Sequence, residues 1–478
     1  MNTLGKYPRT FWVGNTIELF ERWAWYGFFM LFANYLTGSS DMGGLEFSQS
    51  QKGLLLGVGT GILYFLPVLT GAIADRYGYK RILFLSFLVY LSAFILLPLF
   101  SSYTGVFLMY LYLAVGGALF KPVIQATVAK TTTAETSSIG FGIFYMIVNI
   151  GAFFGPMVTL LFKSSYHTVF YISAGIIALN LLLLPFYKEP GRESAKREGS
   201  VTESLAEIFR NMGGILKDTK FIIFLLIAAG FWAMYYQLFF TLPVFVSQWV
   251  DTAMLYDFFH TYIPFISANY SSAPGVMEAE FVTNMDAFYI ILFQILVSSL
   301  IMKIKPLRSM TGGFLVCTIG IALTFVSQNV LFTLAALLIF ALGEMAGSPK
   351  IQEYIGRIAP VDKKALYMGY SFIPVFIGNL LAGFISGNVY QSLSDKVAIT
   401  RRFAEAKGLH LPEGLSSNAY FEETARLTGV TPEELTRLLW DSSHPSRLWI
   451  VLLAVGVVAV ACLFVYDRVI STKTVRGN

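Results

Sequence analysis

The chain has 478 residues, 55% of them hydrophobic and only 13% charged, with a formal net charge of +5. A soluble domain carries about a quarter charged residues, so the composition points away from a water-soluble enzyme or nucleic-acid-binding module and towards a polytopic membrane protein. Cys317 and Cys462, the two cysteines, both lie in apolar runs, which argues against a disulfide framework or a metal cluster.

Apolar segments long enough to cross a bilayer recur near 10–37, 51–74, 81–100, 104–129, 138–162, 167–187, 221–249, 286–302, 310–327, 331–353, 364–390 and 448–467. The first contains Glu18, Glu21 and Arg22, which the apolar core of a cleaved leader would not carry. A charge within a span costs about 2.5–3.5 kcal/mol on insertion scales and marks a polar pathway. At helical spacing Glu18, Glu21 and Arg22 share one face, with Tyr26 a turn beyond Arg22. One guanidinium cannot neutralise two carboxylates, so one of them is a candidate for reversible protonation; the alternative is a static salt bridge locking the helices together.

Between spans two and three, Gly71-Ala-Ile-Ala-Asp75-Arg76-Tyr-Gly78-Tyr-Lys80-Arg81 places an acid at the membrane edge, followed by a basic turn. A gating hinge with a breakable charge at Asp75 and Arg76 would look like this, and so would a solvated basic loop. Lys121, before Pro122 in span four, lies about 13 Å from the inner helix end, far for a snorkelling lysine. Residues 188–220 form a hydrophilic linker separating six spans (1–187) from six (221–478). In the second half, Asp286, Glu344, Lys350 and Glu353 fall within spans. Glu344 is the partner type Lys121 needs, and Lys350 with Glu353 reads as a helix-end pair near water. Residues 250–285 hold acids and His260 but no Lys or Arg. Residues 391–447 read as a helical insert, with one helix over 394–408 stopped by Gly408 and another opened by Thr431-Pro432-Glu433-Glu434, a cap with Pro in the first turn and Glu at the third position.

Basic residues orient the chain. With the N-terminus inside, cytoplasmic segments hold 22 of the 34 Lys and Arg, the short outer loops hold Lys52 and Lys163, and the insert holds seven. Both termini are therefore expected to be cytoplasmic. Four histidines occur, all in outer segments, so a proton relay would run through carboxylates.

These residues together resemble the proton-dependent oligopeptide transporter family of the major facilitator superfamily. The 71–81 loop matches the superfamily's signature loop. Glu18 through Gly27 is similar to the family's E-x-x-E-R-F-x-Y-Y-G, Phe120-Lys121-Pro122 to its fourth-span motif, and Phe144-Tyr145 through Asn149 and Gly151-Ala152 to its fifth-span signature. Gly343-Glu344 through Ser348-Pro349, Glu353 and Ala359-Pro360 fit its tenth-span pattern.

The resemblance implies an all-α major-facilitator fold of two six-helix bundles. It also implies proton-coupled symport of di- and tripeptides across the cell membrane by alternating access, without a cofactor or metal. On this reading Arg22 and Lys121 attract the peptide carboxylate, and Tyr26, Tyr64, Asn149, Trp232, Tyr236 and Ser348 line the pocket. Glu344 receives the amino end and pairs with Lys121, and Glu18 and Glu21 with Arg22 and Glu344 couple protons. Departures stand at span seven, where Trp232-Ala-Met-Tyr235-Tyr236-Gln237 lacks the family's acid before Gln, and at span eight, where Asp286-Ala287 replaces Asn-Pro. The 188–220 linker also has no room for the two extra helices usual in bacterial members. Asp286, with Glu344, could supply the negative field lost from span seven, or could cap span eight at the membrane edge. A carrier of another small anion or metabolite and a non-transporting receptor are the competing functions.

Overall fold

The structure, a computed structural model, describes residues 6–133, 136–163, 165–190, 210, 218–359 and 364–476. Of the expected linker, 191–209 and 211–217 lie outside the described residues, as does Pro360. Among the described residues ten helices are long and apolar enough to cross a membrane, and α2 (Gln49–Phe65) with α3 (Pro67–Tyr77), bent by 41°, forms an eleventh. Helix α1 (Arg9–Thr37) completes twelve: its 29 residues rise about 43 Å, and its three charges set it apart from the apolar ten.

The fold is that of an all-α membrane protein. After α3 come α4 (Tyr79–Leu96), α5 (Tyr103–Lys130), α6 (Ser137–Leu161) and α7 (Tyr166–Leu183). The seventh span is broken into α8 (Thr219–Tyr235), α9 (Gln237–Phe240) and α10 (Leu242–Trp249). Pro243 at the start of α10 has no N–H to continue the ladder. Prolines also lie inside α5 (Pro122) and α6 (Pro156).

A small folded segment follows, made of α11 (Ala253–Tyr262), α12 (Pro264–Asn269) and the antiparallel pair β1 (Ser271–Ala273) and β2 (Val276–Met277). Then come α13 (Ala279–Thr283), α14 (Met285–Ile301), α15 (Pro306–Leu323), α16 (Val330–Ile358, with Pro349 inside it), α17 (Lys364–Gly369) and α18 (Ile373–Phe384). A five-residue π-turn (Ile385–Val389) joins α18 to α19 (Tyr390–Leu393). The chain ends in α20 (Lys396–Ala406), α21 (Ser417–Thr428), α22 (Pro432–Ser443) and α23 (Leu448–Arg476).

The chain packs as two compact units, Met1–Phe28 with Gly59–Leu226 and Ala359–Ile377, and Phe29–Val58 with Ile227–Ile358 and Gly378–Asn478. The boundaries fall inside α1, α2, α8 and α18. In the first unit, hydroxyls and amides cross between helices, as expected where no water competes for them. Ser173 Oγ on α7 donates to the Ala24 carbonyl of α1 at 3.0 Å, and Asn180 Nδ2 to that of Ile17 at 3.1 Å. Ser86 of α4 and Thr70 of α3 reach carbonyls of α5 at 2.7 and 2.6 Å.

The second unit is sewn together by glycines. A Cβ at Gly53 or Gly383 would stand 2.2 or 2.4 Å from the other's carbonyl oxygen, and one at Gly343 would stand 2.2 Å from the Cys317 nitrogen. These seams bring α2 against α18 and α15 against α16. Ile290 and Val297 of α14 pack on Ala341 and Met345 of α16.

The insert follows its caps. Asp395 accepts from the Ala398 N–H at 3.0 Å to open α20, and Gly408, at φ +66°, lies just past its end, close to the expected 394–408. Thr431 and Glu434 form the reciprocal capping box at 2.9 and 3.2 Å. Helix α21 was not anticipated; its signals are the Ser416 cap and Gly429 at φ +72°. The insert is fastened to the loop between α1 and α2: Ser417 N–H donates to Glu46 Oε1 at 2.7 Å and Asn418 N–H to Ser39 Oγ at 3.0 Å.

Candidate functional site

Helix α1 carries the charged cluster of the first unit. Arg22 Nε lies 3.1 Å from Glu18 Oε1, and the guanidinium also pairs with Glu21. All three are buried. Burial of such a set is tolerated only with partners for each oxygen and proton, and the structure supplies one that the sequence did not suggest: Tyr90 of α4 donates to Glu21 Oε1 at 2.6 Å. The Tyr26 ring lies 5.9 Å from the Arg22 guanidinium carbon. Glycines let α6 press against this face, since a Cβ at Gly151 would meet Arg22 Cβ at 2.7 Å and one at Gly155 the Trp23 carbonyl at 2.7 Å.

Lys121 joins the same cluster. It stands within Coulombic reach of Glu18, and its ammonium lies 4.6 Å from the centre of the Tyr64 ring. Two cations thus face two carboxylates, so the first-unit cluster is balanced when all are ionised, a correction to the one-guanidinium count drawn from α1 alone. Asn149, half-buried on α6, donates to the Tyr145 carbonyl of its own helix at 2.8 Å. Asp75 accepts from the Tyr79 hydroxyl at 2.8 Å; Arg76 is exposed; and Gly78, at φ +95°, makes the one-residue turn between α3 and α4. Glu189 accepts from the Tyr79 N–H at 2.8 Å, placing a carboxylate at the start of α4, where the helix dipole favours it.

The second unit holds the opposite kind of cluster. Asp286 and Glu344 are buried within Coulombic range of each other, beside the Cys317 thiol, and Glu344 accepts a hydrogen bond from Tyr235. Asp286 Oδ1 and Glu344 Oε2 have no hydrogen-bond partner among the described residues, and neither carboxyl forms an ion pair there. The cap reading of Asp286 does not hold: Asn284 precedes α14, and with α13 the apolar helix begins at Ala279, about 10 Å further out. Phe281 and Val282 extend the apolar run past the point where the acid suggested an end.

Trp232 is half-buried on α8, its ring 5.1 Å from that of Tyr235 and 6.2 Å from that of the buried Tyr236. Its indole nitrogen is buried without a partner among the described residues. Ser348 is half-buried on α16. Lys350 pairs with Glu353 at 2.8 Å, and Glu353 with Arg357 at 2.5 Å, the expected helix-end ladder.

Lys52 departs from its expected place in an outer loop. It lies in the first turn of α2, fully buried, donating to the Phe240 carbonyl at 2.7 Å with its ammonium 5.4 Å from the Tyr390 ring centre. The break before Pro243 is what leaves a carbonyl there to be satisfied. Glu280, also buried, accepts from Asn34 Nδ2 at 2.8 Å.

Comparison with known proteins agrees on the scaffold. The Major Facilitator Superfamily model matches residues 17–250. A Na(+), Li(+), K(+)/H(+) antiporter of Planococcus maritimus is 25% identical over 364 residues, 70% of this chain and 81% of that protein. The multidrug resistance protein MdtH of Aeromonas hydrophila is 24% identical over 347 residues, 70% of this chain and 77% of its own length. Among solved structures, a POT family transporter in complex with 5-aminolevulinic acid superposes with a TM-score of 0.67 at 16% identity, over 96% of each chain. With twelve spans and this match, the chain belongs to the major facilitator superfamily and has the fold of its POT transporters.

Proposed function

We propose that the protein is a proton-coupled symporter of small peptides, working by alternating access in the cell membrane with both termini cytoplasmic and driven by the proton gradient without a cofactor. The observation that carries this reading is the unequal charge of the two clusters. Arg22 and Lys121 bring two cations to the first unit, where a substrate carboxylate can compete for them. Asp286 and Glu344 bring two acids with no cation to the second, so an ammonium finds its counter-charge there. A free peptide is a zwitterion and offers both ends. Tyr26, Tyr64, Asn149, Trp232, Tyr236 and Ser348 supply the neutral lining, and Glu18 and Glu21, sharing Arg22, carry the proton.

The names of the sequence relatives favour a second reading, export of a cation or drug in exchange for protons, since an uncompensated acid pair also suits a cation. Proteoliposomes under an imposed proton gradient separate the two. Concentrative uptake of labelled dipeptide down the proton gradient, competed by di- and tripeptides and not by amino acids or nitrate, supports symport. Sodium- or drug-linked proton exchange without peptide competition replaces it with antiport.

A further inference from the structure

The segment between α10 and α13 carries a surface that the transport reading leaves unused. Helix α11 begins three residues after α10 ends, and β2 runs almost directly into α13. The segment is folded against its own unit. Leu255 is buried, the Phe259 ring meets Phe281 edge-on at 5.7 Å, and Met277 N–H donates to Thr252 Oγ1 at 2.9 Å. Asp251 N–H donates to the carbonyl of Gln328, in the turn between α15 and α16, at 2.7 Å. Held this way at the ends of four membrane-spanning elements, it cannot lift away from the bilayer surface.

The opposite side of this segment is apolar and uncovered. Met254, Phe258 and Tyr262 follow one another at four-residue spacing on α11, with Phe265 next on α12, and each is more than half exposed. Ile263 and Val276 lie exposed beside them. A patch of this kind on a soluble surface marks an interaction site. It continues the exposed apolar belt of the spans, whose nearest members are Phe288 and Leu292 on α14 and Leu331 and Phe332 on α16.

We infer that α11 and α12 lie in the headgroup layer of the membrane as an interfacial foot, with Phe258, Tyr262 and Phe265 inserted among the lipids. Helices bound this way usually carry Lys or Arg towards anionic lipid. Residues 250–285 have none, and Asp257 is exposed on α11. The foot therefore suits zwitterionic lipid, whose ammonium groups can sit beside Asp257, and is repelled by an anionic surface.

Spin labels test this in the full-length protein. Phe258→Cys, Tyr262→Cys and Phe265→Cys are each made with Cys462→Ser, Cys317 being buried. Each is labelled and reconstituted in phosphatidylethanolamine–phosphatidylcholine nanodiscs. Exposure at these positions means the labels perturb little of the fold, and preserved thermal unfolding confirms it. Collision with oxygen and with a water-soluble nickel chelate is compared with an aqueous control, Glu413→Cys, and a lipid-facing one, Ile295→Cys. The expected result is nickel accessibility severalfold below the aqueous control at all three positions, with oxygen accessibility between the controls, and shallower immersion when phosphatidylglycerol replaces the zwitterionic lipid. Nickel accessibility equal to the aqueous control overturns the foot. Dipolar broadening between labels assigns the patch to a second copy and overturns it too. Equal or deeper immersion in phosphatidylglycerol overturns the headgroup assignment.

Discussion

Tyr90 of α4 donates its hydroxyl proton to Glu21 of α1 at 2.6 Å, across 69 positions of sequence. Tyr90→Phe keeps the ring and removes the donor. Loss of a hydrogen bond to a buried charged group costs about 1.5–3 kcal/mol. The expected outcome is a lowered unfolding temperature in detergent together with weakened gradient-driven uptake. Unchanged values in both measurements would show that Glu21 finds another donor.

Glu21→Gln removes a charge but keeps the shape that Tyr90 and Arg22 pack against. Uptake driven by a proton gradient should be abolished, while substrate counterflow, which needs no net proton movement, should persist in part. Full gradient-driven uptake by this variant would move the proton site elsewhere.

Asp286→Ala tests the acidic cluster. If Asp286 meets the ammonium, the variant should lose much more affinity for a free dipeptide than for its N-acetylated analogue, which lacks the positive end. Counterflow inhibition by the two compounds reads this directly, and an equal loss for both would leave Asp286 without a substrate role.

Gly151→Ala forces a Cβ to within 2.7 Å of Arg22 Cβ and 3.0 Å of the Leu19 carbonyl, whereas Gly175 has nothing within 4 Å of its would-be Cβ. Overpacking of this kind costs about 1–3 kcal/mol. Relieving a glycine in an open helical position gains about 0.5–1 kcal/mol. Gly151→Ala should lower thermal stability and transport together, and Gly175→Ala should raise stability and leave transport alone.

The fastening of the insert should be acid-labile. Burial pushes the Glu46 carboxyl up, but hydrogen bonds from the Ser417 and Ser40 N–H groups and from Ser39 outweigh it and hold it below its usual 4.5. A carboxyl lowered in the folded state contributes stability above its unfolded value, and that stability is lost as pH falls through the folded one. Hydrogen exchange at Ser417 and Asn418 should therefore be protected at neutral pH and rise below about pH 4.5 more than its intrinsic rate does. Glu46→Gln should abolish that extra pH dependence.

The helices and the α1 cluster were legible because charges inside apolar runs stand out, and Lys121 with Glu344 for the same reason. Tyr90 was not: a tyrosine in an apolar helix has no mark that distinguishes a buried donor from an interfacial anchor, and its partner lies on another span. Lys52 was misplaced because Ser48-Gln49-Ser50-Gln51 before it look like a loop. Its burial comes from α9 and α19, which are remote in sequence, and from a carbonyl that exists only because the seventh span breaks. Asp286 suggested a helix start since an acid in an apolar run reads as an edge, whereas the helix had begun at Ala279.

The π-turn at Ile385–Val389 makes the chain unusually sensitive to a change of length. A π-turn holds one residue more than the α-helix it interrupts, so deleting a single residue there would regularise the helix and swing everything after it by about 100°. Asp395 lies just beyond, accepting from Gln49 Nε2 at 3.0 Å and from Gln248 Nε2 at 2.9 Å. The rotation would carry that carboxylate away from both amides and turn the insert off its seat, although no residue that touches the charged clusters had been altered.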